Sequence, residues 1–344
     1  NFFDLGGNSL LAVRLMAHIQ KQFQINLPLA TLFENPTVEK LAYLIDSPIK
    51  DVSWSALVPI QPNGNKRPLF LVPGGGGSVV YYSYLARYLS SDQPFYGLQA
   101  IGLDGESEPY TRVEDIAAHN IQEIQSIQPQ GPYLLGGHSF GGHVAFEMAQ
   151  QLQKQGQEVA LLAILDSTAP EPENKMASLG WNDTMWMVFI SKFLGHLFGK
   201  EIGISYEALE KLTPDDQLTY LYKQLEQINF YPPGAGIKQL RGFVRVMKAN
   251  CLFSYFPEEV YPTPITLFQG IEPYSEKVLK KELVEHINPK NRSLPDWGWG
   301  QFSTGSVEIY EVPGDHISIV AEPHVQVLAQ KLIACIEQAQ VKGK

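Results

Sequence analysis

The chain has 344 residues, of which 44% are hydrophobic and 18% charged, and its formal net charge at pH 7 is −10. This length predicts about two domains of ordinary globular composition. The negative charge argues against a nucleic-acid partner, and the longest apolar stretches are too short to cross a membrane. The chain begins at Asn1 and has two cysteines. We interpret it as a piece of a longer polypeptide and expect a reducing cytoplasm.

The first 47 residues have the pattern of a small helical unit. Apolar positions predict a helix from Ser9 to about Phe23, a short helical turn at residues 28–32, and a last helix capped by Thr37. A unit of this size builds a small core, so we expect an earlier helix to be missing upstream. Residues 48–67 are rich in Pro and Gly, which predicts a linker with a short strand at residues 56–60.

Residues 68–344 alternate short apolar runs with helical patterns. This alternation predicts a mostly parallel α/β sheet. Residues 170–263 interrupt the rhythm with an apolar-rich helical block, which we interpret as an insertion above the sheet. Within it, Arg241, Arg245 and Lys248 fall at helical spacing, which predicts a solvated face or, alternatively, a docking face. The predicted strands lie at residues 69–72, 95–99, 133–136, 161–165, 265–269 and 307–311.

Residues 137–141 read GHSFG and match the GxSxG frame of a nucleophilic serine. That frame requires a strand before it and a helix after it, because the sharp turn between them exposes the serine hydroxyl. Residues 133–135 and 142–152 provide both patterns. The context favours Ser139 as a nucleophile over an inert serine in a tight turn. The histidines beside it, His138 and His143, are near in sequence only, and we expect packing or rim residues.

A nucleophilic serine needs a base, and the base needs a carboxylate that orients it. In this strand–turn–helix class the order along the chain is serine, acid, histidine. Asp166 ends a predicted strand, and His316 follows the last one, so both fit this order and position. The alternatives are a turn-forming Asp166 and a surface His316. Asp315 is a rival acid, but its adjacency to His316 hinders it from orienting that ring.

An oxyanion site needs two backbone N–H groups aimed at one point. The residue after the nucleophile, Phe140, supplies one of them. We assign the second to Gly74, the first of four glycines that follow Pro73, with the neighbouring glycines as alternatives. This loop contains neither GxGxxG nor Gly-Lys-Ser/Thr, which argues against a nucleotide site. We expect no metal site.

Residues 4–10, DLGGNSL, form a second glycine-rich frame around a serine. A helix that begins at Ser9 offers free N–H groups to a phosphodiester on that serine. The simpler interpretation is that Ser9 is the N-cap of the helix and the glycines form a turn. The residue pattern alone favours the simpler interpretation.

Three segments of the first unit resemble the phosphopantetheine attachment region of peptidyl and acyl carrier domains. They are FDLGGNSL at residues 3–10, LFENPTV at 32–38, and LA at 41–42. The resemblance implies a small all-α carrier domain over residues 1–47, a helical bundle whose first helix is missing, with 4'-phosphopantetheine on Ser9. The helix after Ser9 has more apolar residues than one buried face needs. This predicts a docking face or incomplete burial.

The remainder resembles the terminal thioesterase domains of nonribosomal peptide and polyketide synthases. The resemblance is carried by residues 137–142, by Leu165-Asp166 and by residues 313–316, and residues 249–264 fit the end of that family's lid. It implies an α/β-hydrolase domain over residues 68–344, with a helical lid at about 170–263. Where the family often has alanine and other small residues after the proline, this chain has four glycines.

A carrier followed directly by a thioesterase implies the terminal module of such a synthase. The expected function is to hold an acyl or peptidyl thioester at Ser9, transfer it to Ser139 and release it by hydrolysis or macrocyclisation. The expected partners are the acyl chain, a phosphopantetheinyl transferase and upstream synthase modules. Two alternatives remain: a lipase or esterase of free substrates, and a carrier scaffold without turnover.

Overall fold

The computed structural model describes residues 1–47, 54–173, 175–197, 199–273 and 290–342. Residues 48–53 of the predicted linker lie outside the described residues. The helices are α1 (Ser9–Phe23), α2 (Thr31–Glu34), α3 (Val38–Asp46), α4 (Tyr82–Ala86), α5 (Val113–Ile127), α6 (Phe140–Lys154), α7 (Lys175–Ser178), α8 (Asp183–Leu197), α9 (Tyr206–Leu209), α10 (Pro214–Gln227), α11 (Ile237–Leu252) and α12 (Val325–Lys342). The strands are β1 (Leu57–Gln61), β2 (Leu69–Val72), β3 (Phe95–Leu98), β4 (Tyr133–His138), β5 (Val159–Leu165), β6 (Ile265–Gly270) and β7 (Val307–Val312).

Helices α1 to α3 form the N-terminal unit. The N-cap of α1 is Asn8, whose side chain accepts a hydrogen bond from the N–H of Leu11. The interpretation of Ser9 as the cap is therefore wrong: Ser9 is the first helical residue. Thr37 caps α3, as predicted, by accepting from the N–H of Lys40. The core of this unit also includes Val80, a buried residue from the second part of the chain.

Seven strands of the described chain form one sheet in the order β1-β3-β2-β4-β5-β6-β7. β1 pairs antiparallel with β3, and the other neighbours are parallel. The six strands predicted after residue 68 are all present. The short strand predicted in the linker is β1, so the sheet extends upstream of residue 68. The result is a mixed α/β sheet, consistent with an α/β-hydrolase fold.

Helices cover both faces of the sheet, because the side chains of a strand point alternately to opposite faces. In β2, Phe70 packs into a cluster with residues of α5 and α6. Its neighbours Leu69 and Leu71 pack into another cluster, with residues of α4 and α12. Every residue of β2 is buried, which is the pattern of an inner strand covered on both sides.

Helices α7 to α11 lie between β5 and β6 in the chain and form a third hydrophobic cluster. It includes Trp186, Phe189, Leu240 and Met247, together with Ala17 from α1. The block predicted at residues 170–263 is therefore helical, and the N-terminal unit packs against it. None of the helices in the described ranges is long and apolar enough to cross a bilayer.

We expect Gly137→Ala to lower the free energy of unfolding by about 3 kcal/mol, because a Cβ there would collide with the carbonyl of Gly141 in the first turn of α6. Gly203→Ala is the matched control, since its Cβ meets no atom within 4 Å. Urea unfolding measures both variants. Equal stability of the two variants would contradict the tight packing of β4 against α6.

Candidate active site

Ser139 sits at the turn between β4 and α6. Its backbone has φ 56° and ψ −126°, in the left-handed region that costs free energy for any residue except glycine. The turn is held in place because the N–H of Ser139 donates to the carbonyl of Leu165, at 2.9 Å. The strand–turn–helix context that the GxSxG frame requires is therefore present.

The structure brings Ser139, His316 and Asp166 together. His316 Nε2 lies 2.7 Å from the Oγ of Ser139, and His316 Nδ1 lies 2.7 Å from the Oδ2 of Asp166. Asp166 follows the last residue of β5, and His316 lies in the loop after β7. In a parallel sheet these loops meet at the same edge, so chain positions 139, 166 and 316 converge there.

The carboxylate of Asp166 is buried and has three neighbours that stabilise its charge. Its Oδ1 accepts from the N–H of Gly270 at 2.6 Å, and its Oδ2 lies 3.8 Å from Nη2 of Arg292. Burial raises the pKa of Asp166, but the hydrogen bond and charge of His316, the charge of Arg292 and the Gly270 N–H outweigh it, so the pKa lies below its usual value. An ionised Asp166 favours the Nδ1–H tautomer of His316, in which Nε2 accepts the hydrogen bond of the Ser139 hydroxyl.

Asp315, the rival acid, has a different local role. Its Oδ1 accepts hydrogen bonds from the N–H groups of Ile317 and Ser318, at 3.1 and 2.8 Å, and from the Ser318 hydroxyl. These contacts close the turn in which His316 lies. Asp315 thus shapes the loop, while Asp166 contacts the imidazole ring.

A chain of hydrogen bonds links the glycine loop to the loop of His316. His138 Nε2 lies 2.9 Å from the carbonyl oxygen of His316, and because a carbonyl only accepts, this nitrogen carries the proton. His138 Nδ1 is then the acceptor for the Tyr81 hydroxyl, at 3.3 Å. The Tyr81 oxygen in turn accepts from the N–H of Gly74 at 2.9 Å. Burial, with a smaller effect from the charge of His316, lowers the pKa of His138 to about 4, so its ring is neutral.

The N–H groups of the two predicted oxyanion donors differ in their hydrogen bonding. Phe140 is the first residue of α6, and its N–H has no hydrogen-bond partner in the described part of the chain. Gly74 lies beside Ser139, since a Cβ on it would be 3.4 Å from the Cβ of Ser139. Its N–H, however, is already bonded to Tyr81. Tyr81 and Arg292 were not predicted, because no motif marks either residue.

A cavity of about 1270 Å³ connects the start of α1 with Ser139. Asn8, the N-cap of α1, lines it together with Ser139 and His316. Its apolar wall includes Phe193, Phe243 and Met247 of α8 and α11, and Val13, Met16 and Ala17 of α1. Asn8, which precedes the predicted attachment serine, and Ser139, the predicted nucleophile, thus line the same cavity.

A strained serine at a strand–helix turn of a mixed α/β sheet defines the class of the fold as hydrolase-like. Within that class the chain belongs to the thioesterase domain family, whose model matches residues 67–336. The model of the phosphopantetheine attachment site matches residues 1–45. The chain therefore combines a carrier domain with a thioesterase domain.

The relatives are synthetases much longer than this chain. Indigoidine synthase of Dickeya dadantii is 38% identical over 95% of the chain and 21% of its own length. Chondramide synthase cmdD of Chondromyces crocatus is 30% identical over 96% of the chain and 8% of its own length. Among solved structures, the four-domain nonribosomal peptide synthetase holo-AB3403, bound to AMP and glycine, matches with a TM-score of 0.71 at 30% identity, over 97% of the chain and 24% of its own.

The start of α1 fits the group that a phosphopantetheine attachment site carries on a serine. Ser9 is the first residue of a 15-residue helix, whose N-terminal N–H groups and dipole favour a phosphate. Asn8 caps this helix and lines the cavity that leads to Ser139. Ser9 would therefore hold the group at a helix N-terminus whose N-cap lines the cavity.

His138, which is buried, and His143, which is half-buried, predict a pH dependence of stability. Burial lowers the pKa values of His138 and His143 to about 4, and His143 Nε2 donates to the carbonyl of Thr168 at 2.8 Å. The unfolded chain therefore binds more protons between pH 6.5 and 4, so stability is full above pH 6.5 and falls as the pH drops through this window.

We expect His143→Gln, which keeps a donor for Thr168, to lose less stability than the wild type between pH 7 and 4. The difference should be about 1–3 kcal/mol, measured by urea unfolding at each pH. His18→Gln on the exposed side of α1 is the control and should retain the wild-type slope. An unchanged slope in His143→Gln would contradict a neutral imidazole at this position.

Proposed function

We propose that this chain is the terminal module of a nonribosomal peptide or hybrid polyketide synthase and releases the finished acyl or peptidyl chain. The carrier domain would comprise residues 1–47, followed by the 48–67 linker, and the thioesterase domain residues 68–344, with β1 of the linker joining its sheet. The observation that carries the proposal is the cavity shared by Asn8 and by the hydrogen-bonded Ser139 and His316. A phosphopantetheinyl transferase would modify Ser9, and upstream modules would supply the chain to be released.

Ser139 is the nucleophile of the proposed reaction, His316 the base and Asp166 the orienting carboxylate. Phosphopantetheine on Ser9 would supply a thiol that carries the acyl chain as a thioester. Ser139 Oγ attacks the thioester carbonyl while His316 Nε2, at 2.7 Å, takes its proton. His316 then returns this proton to the departing sulfur, and Ser139 holds the acyl chain as an ester. Asp166 stabilises the imidazolium during both steps.

Backbone N–H groups stabilise the negative oxygen that forms in each step. The N–H of Phe140 is one donor, since no residue of the described chain accepts from it. Gly74 is the second, and its N–H exchanges the Tyr81 hydroxyl for the oxyanion. Because the N–H is satisfied before the carbonyl enters, this exchange avoids a buried donor without a partner.

The second step releases the acyl chain from Ser139. His316 deprotonates either water, which yields a free acid, or an amine or hydroxyl of the acyl chain, which yields a ring. Helices α7 to α11 form the lid of the proposed site, and their apolar side chains on the cavity wall, such as Phe193 and Phe243, reduce the access of water to the ester.

The carrier match at residues 1–45 argues against an esterase of free substrates. Faster turnover of soluble esters than of pantetheine thioesters would favour that alternative. The contacts of Ser139, His316 and Asp166 argue against a carrier scaffold without turnover. Failure of a fluorophosphonate to label Ser139 would favour the scaffold.

A phosphopantetheinyl transferase can load Ser9 with an acyl-pantetheine group, and we expect the acyl group to move to Ser139. Peptide mass spectrometry measures which of the two peptides carries the acyl mass. Ser139→Ala should retain the acyl group on Ser9, because it removes the hydroxyl that lies 2.7 Å from Nε2 of His316. The mass of the product distinguishes the acid from the ring. If the wild type retains each of several different acyl chains on Ser9, the result contradicts the release function.

Asp166→Asn should lower kcat for a soluble acyl-pantetheine by a factor on the order of 10⁴, because the amide favours the wrong His316 tautomer. Asp315→Asn is the matched control: it keeps an oxygen that accepts from residues 317 and 318, and its rate should stay within a few-fold of wild type. A larger loss for Asp315→Asn than for Asp166→Asn would reverse the assignment of the acid.

A further inference from the structure

The loop in front of Ser9 is held by an arginine of the thioesterase domain. Nη2 of Arg87, the residue after α4, donates to the carbonyl oxygens of Phe3 and Gly7, at 2.7 and 3.2 Å. The guanidinium also lies 5.5 Å from the centre of the Tyr84 ring. An arginine presents several donors in a fixed planar arrangement, so it can hold two carbonyls of one loop in a defined orientation.

Two further contacts of different chemistry fix the same orientation. Val80, buried to 3% exposure, packs into the core of the carrier with Phe3 and Met16. At the other end of α1, Nε2 of Gln239 on α11 donates to Oδ1 of Asn26 at 2.7 Å. Contacts at both ends of α1 define its direction, whereas a single contact would leave it free to pivot.

We propose that Arg87 is the docking residue that aligns the carrier domain for acyl transfer within the chain. Given the function proposed above, it holds residues 3–7 so that the start of α1, where the N-cap Asn8 lines the cavity, is directed to the cavity that contains Ser139. Arg87 contacts neither Ser139 nor His316 in the structure, so it is a positioning residue.

Recognition through carbonyl oxygens has a consequence for specificity. Arg87 binds the main chain of the loop, while the Leu5 side chain of the same loop is 88% exposed. The contact with Arg87 therefore depends on the conformation of the loop and not on its exposed side chains, whereas the buried Phe3 packs in one core with Val80. Leu5→Ala should leave docking unchanged, and carrier domains with the same loop conformation should be accepted despite different side chains at exposed positions.

The test compares Arg87→Gln with Arg112→Gln, an exposed arginine paired with Glu114 at the start of α5. The first readout is hydrogen exchange of the complete chain without the phosphopantetheine arm. Arg87→Gln should speed exchange about three- to tenfold in peptides covering residues 1–16 and leave the peptide covering β4 and α6 unchanged. Arg112→Gln should match the wild type in both regions.

The second readout distinguishes an effect on docking of the carrier domain from an effect on the reaction at Ser139. Arg87→Gln should slow single-turnover transfer from Ser9 to Ser139 about three- to tenfold, while its kcat/KM for a soluble acyl-pantetheine stays within twofold of wild type. Arg87→Lys, which keeps one charged donor, should recover part of the rate. Gln239→Ala removes a second polar contact and should slow transfer independently, with an additive effect in the double variant.

Equal losses for the loaded and the soluble substrate would overturn the proposal, because Arg87 would then act on the thioesterase domain itself. Unchanged exchange and unchanged transfer in Arg87→Gln would also overturn it. Absence of transfer in the wild type would contradict the proposed function instead. The exchange experiment would still show whether Arg87 holds the carrier, so the two failures are distinguishable.

Discussion

The ionised carboxylate of Asp166 is the constraint on which the site depends. Burying a charge is expensive unless charged and hydrogen-bonding partners surround it. Here the partners come from different parts of the sheet: Gly270 from the end of β6, His316 from the loop after β7, and Arg292 from the segment between these strands. The parallel order β4-β5-β6-β7 supplies them because it aligns the ends of neighbouring strands. The same alignment places Ser139, at the end of β4, within reach of His316.

The neutral histidine next to Ser139 depends on the same arrangement. His138 is buried beside His316, so a second positive charge there would oppose the imidazolium that forms during transfer. As a neutral ring it can donate to the His316 carbonyl and accept from Tyr81 at the same time. Tyr81 then fixes Gly74. The position of the base and the conformation of the glycine loop are thus coupled through groups that carry no charge.

The sequence allowed the fold and the site to be predicted where the signal is local. Buried parallel strands are continuous apolar runs, and the order serine, acid, histidine selected Ser139, Asp166 and His316, which the structure brings together. The sequence pattern did not distinguish between residues with the same local preference. Asn8 and Ser9 are both good N-caps, and only the backbone distinguishes them.

The basic residues of α11 illustrate the same limit. Their helical spacing predicted a solvated face, and Arg241, Arg245 and Lys248 are partly exposed there, in ion pairs with Asp215, Glu108 and Asp183. Two of these partners lie well upstream in the chain, at positions 108 and 183, and no local pattern reveals them. In these ion pairs the three residues contact the thioesterase domain itself and not the carrier. Docking depends instead on Arg87, Val80 and Gln239.

The strength of this docking has to satisfy two opposite requirements. The carrier core is small and includes Val80, while Ala17 of α1 completes a cluster of the thioesterase domain, so each unit is stabilised by the other. A carrier in an assembly must nevertheless leave to accept its next acyl chain. Covalent linkage resolves the conflict, because a tethered partner is present at an effective concentration in the millimolar range. At that concentration a few hydrogen bonds and a small apolar contact suffice for frequent docking, and each docked state can still dissociate rapidly.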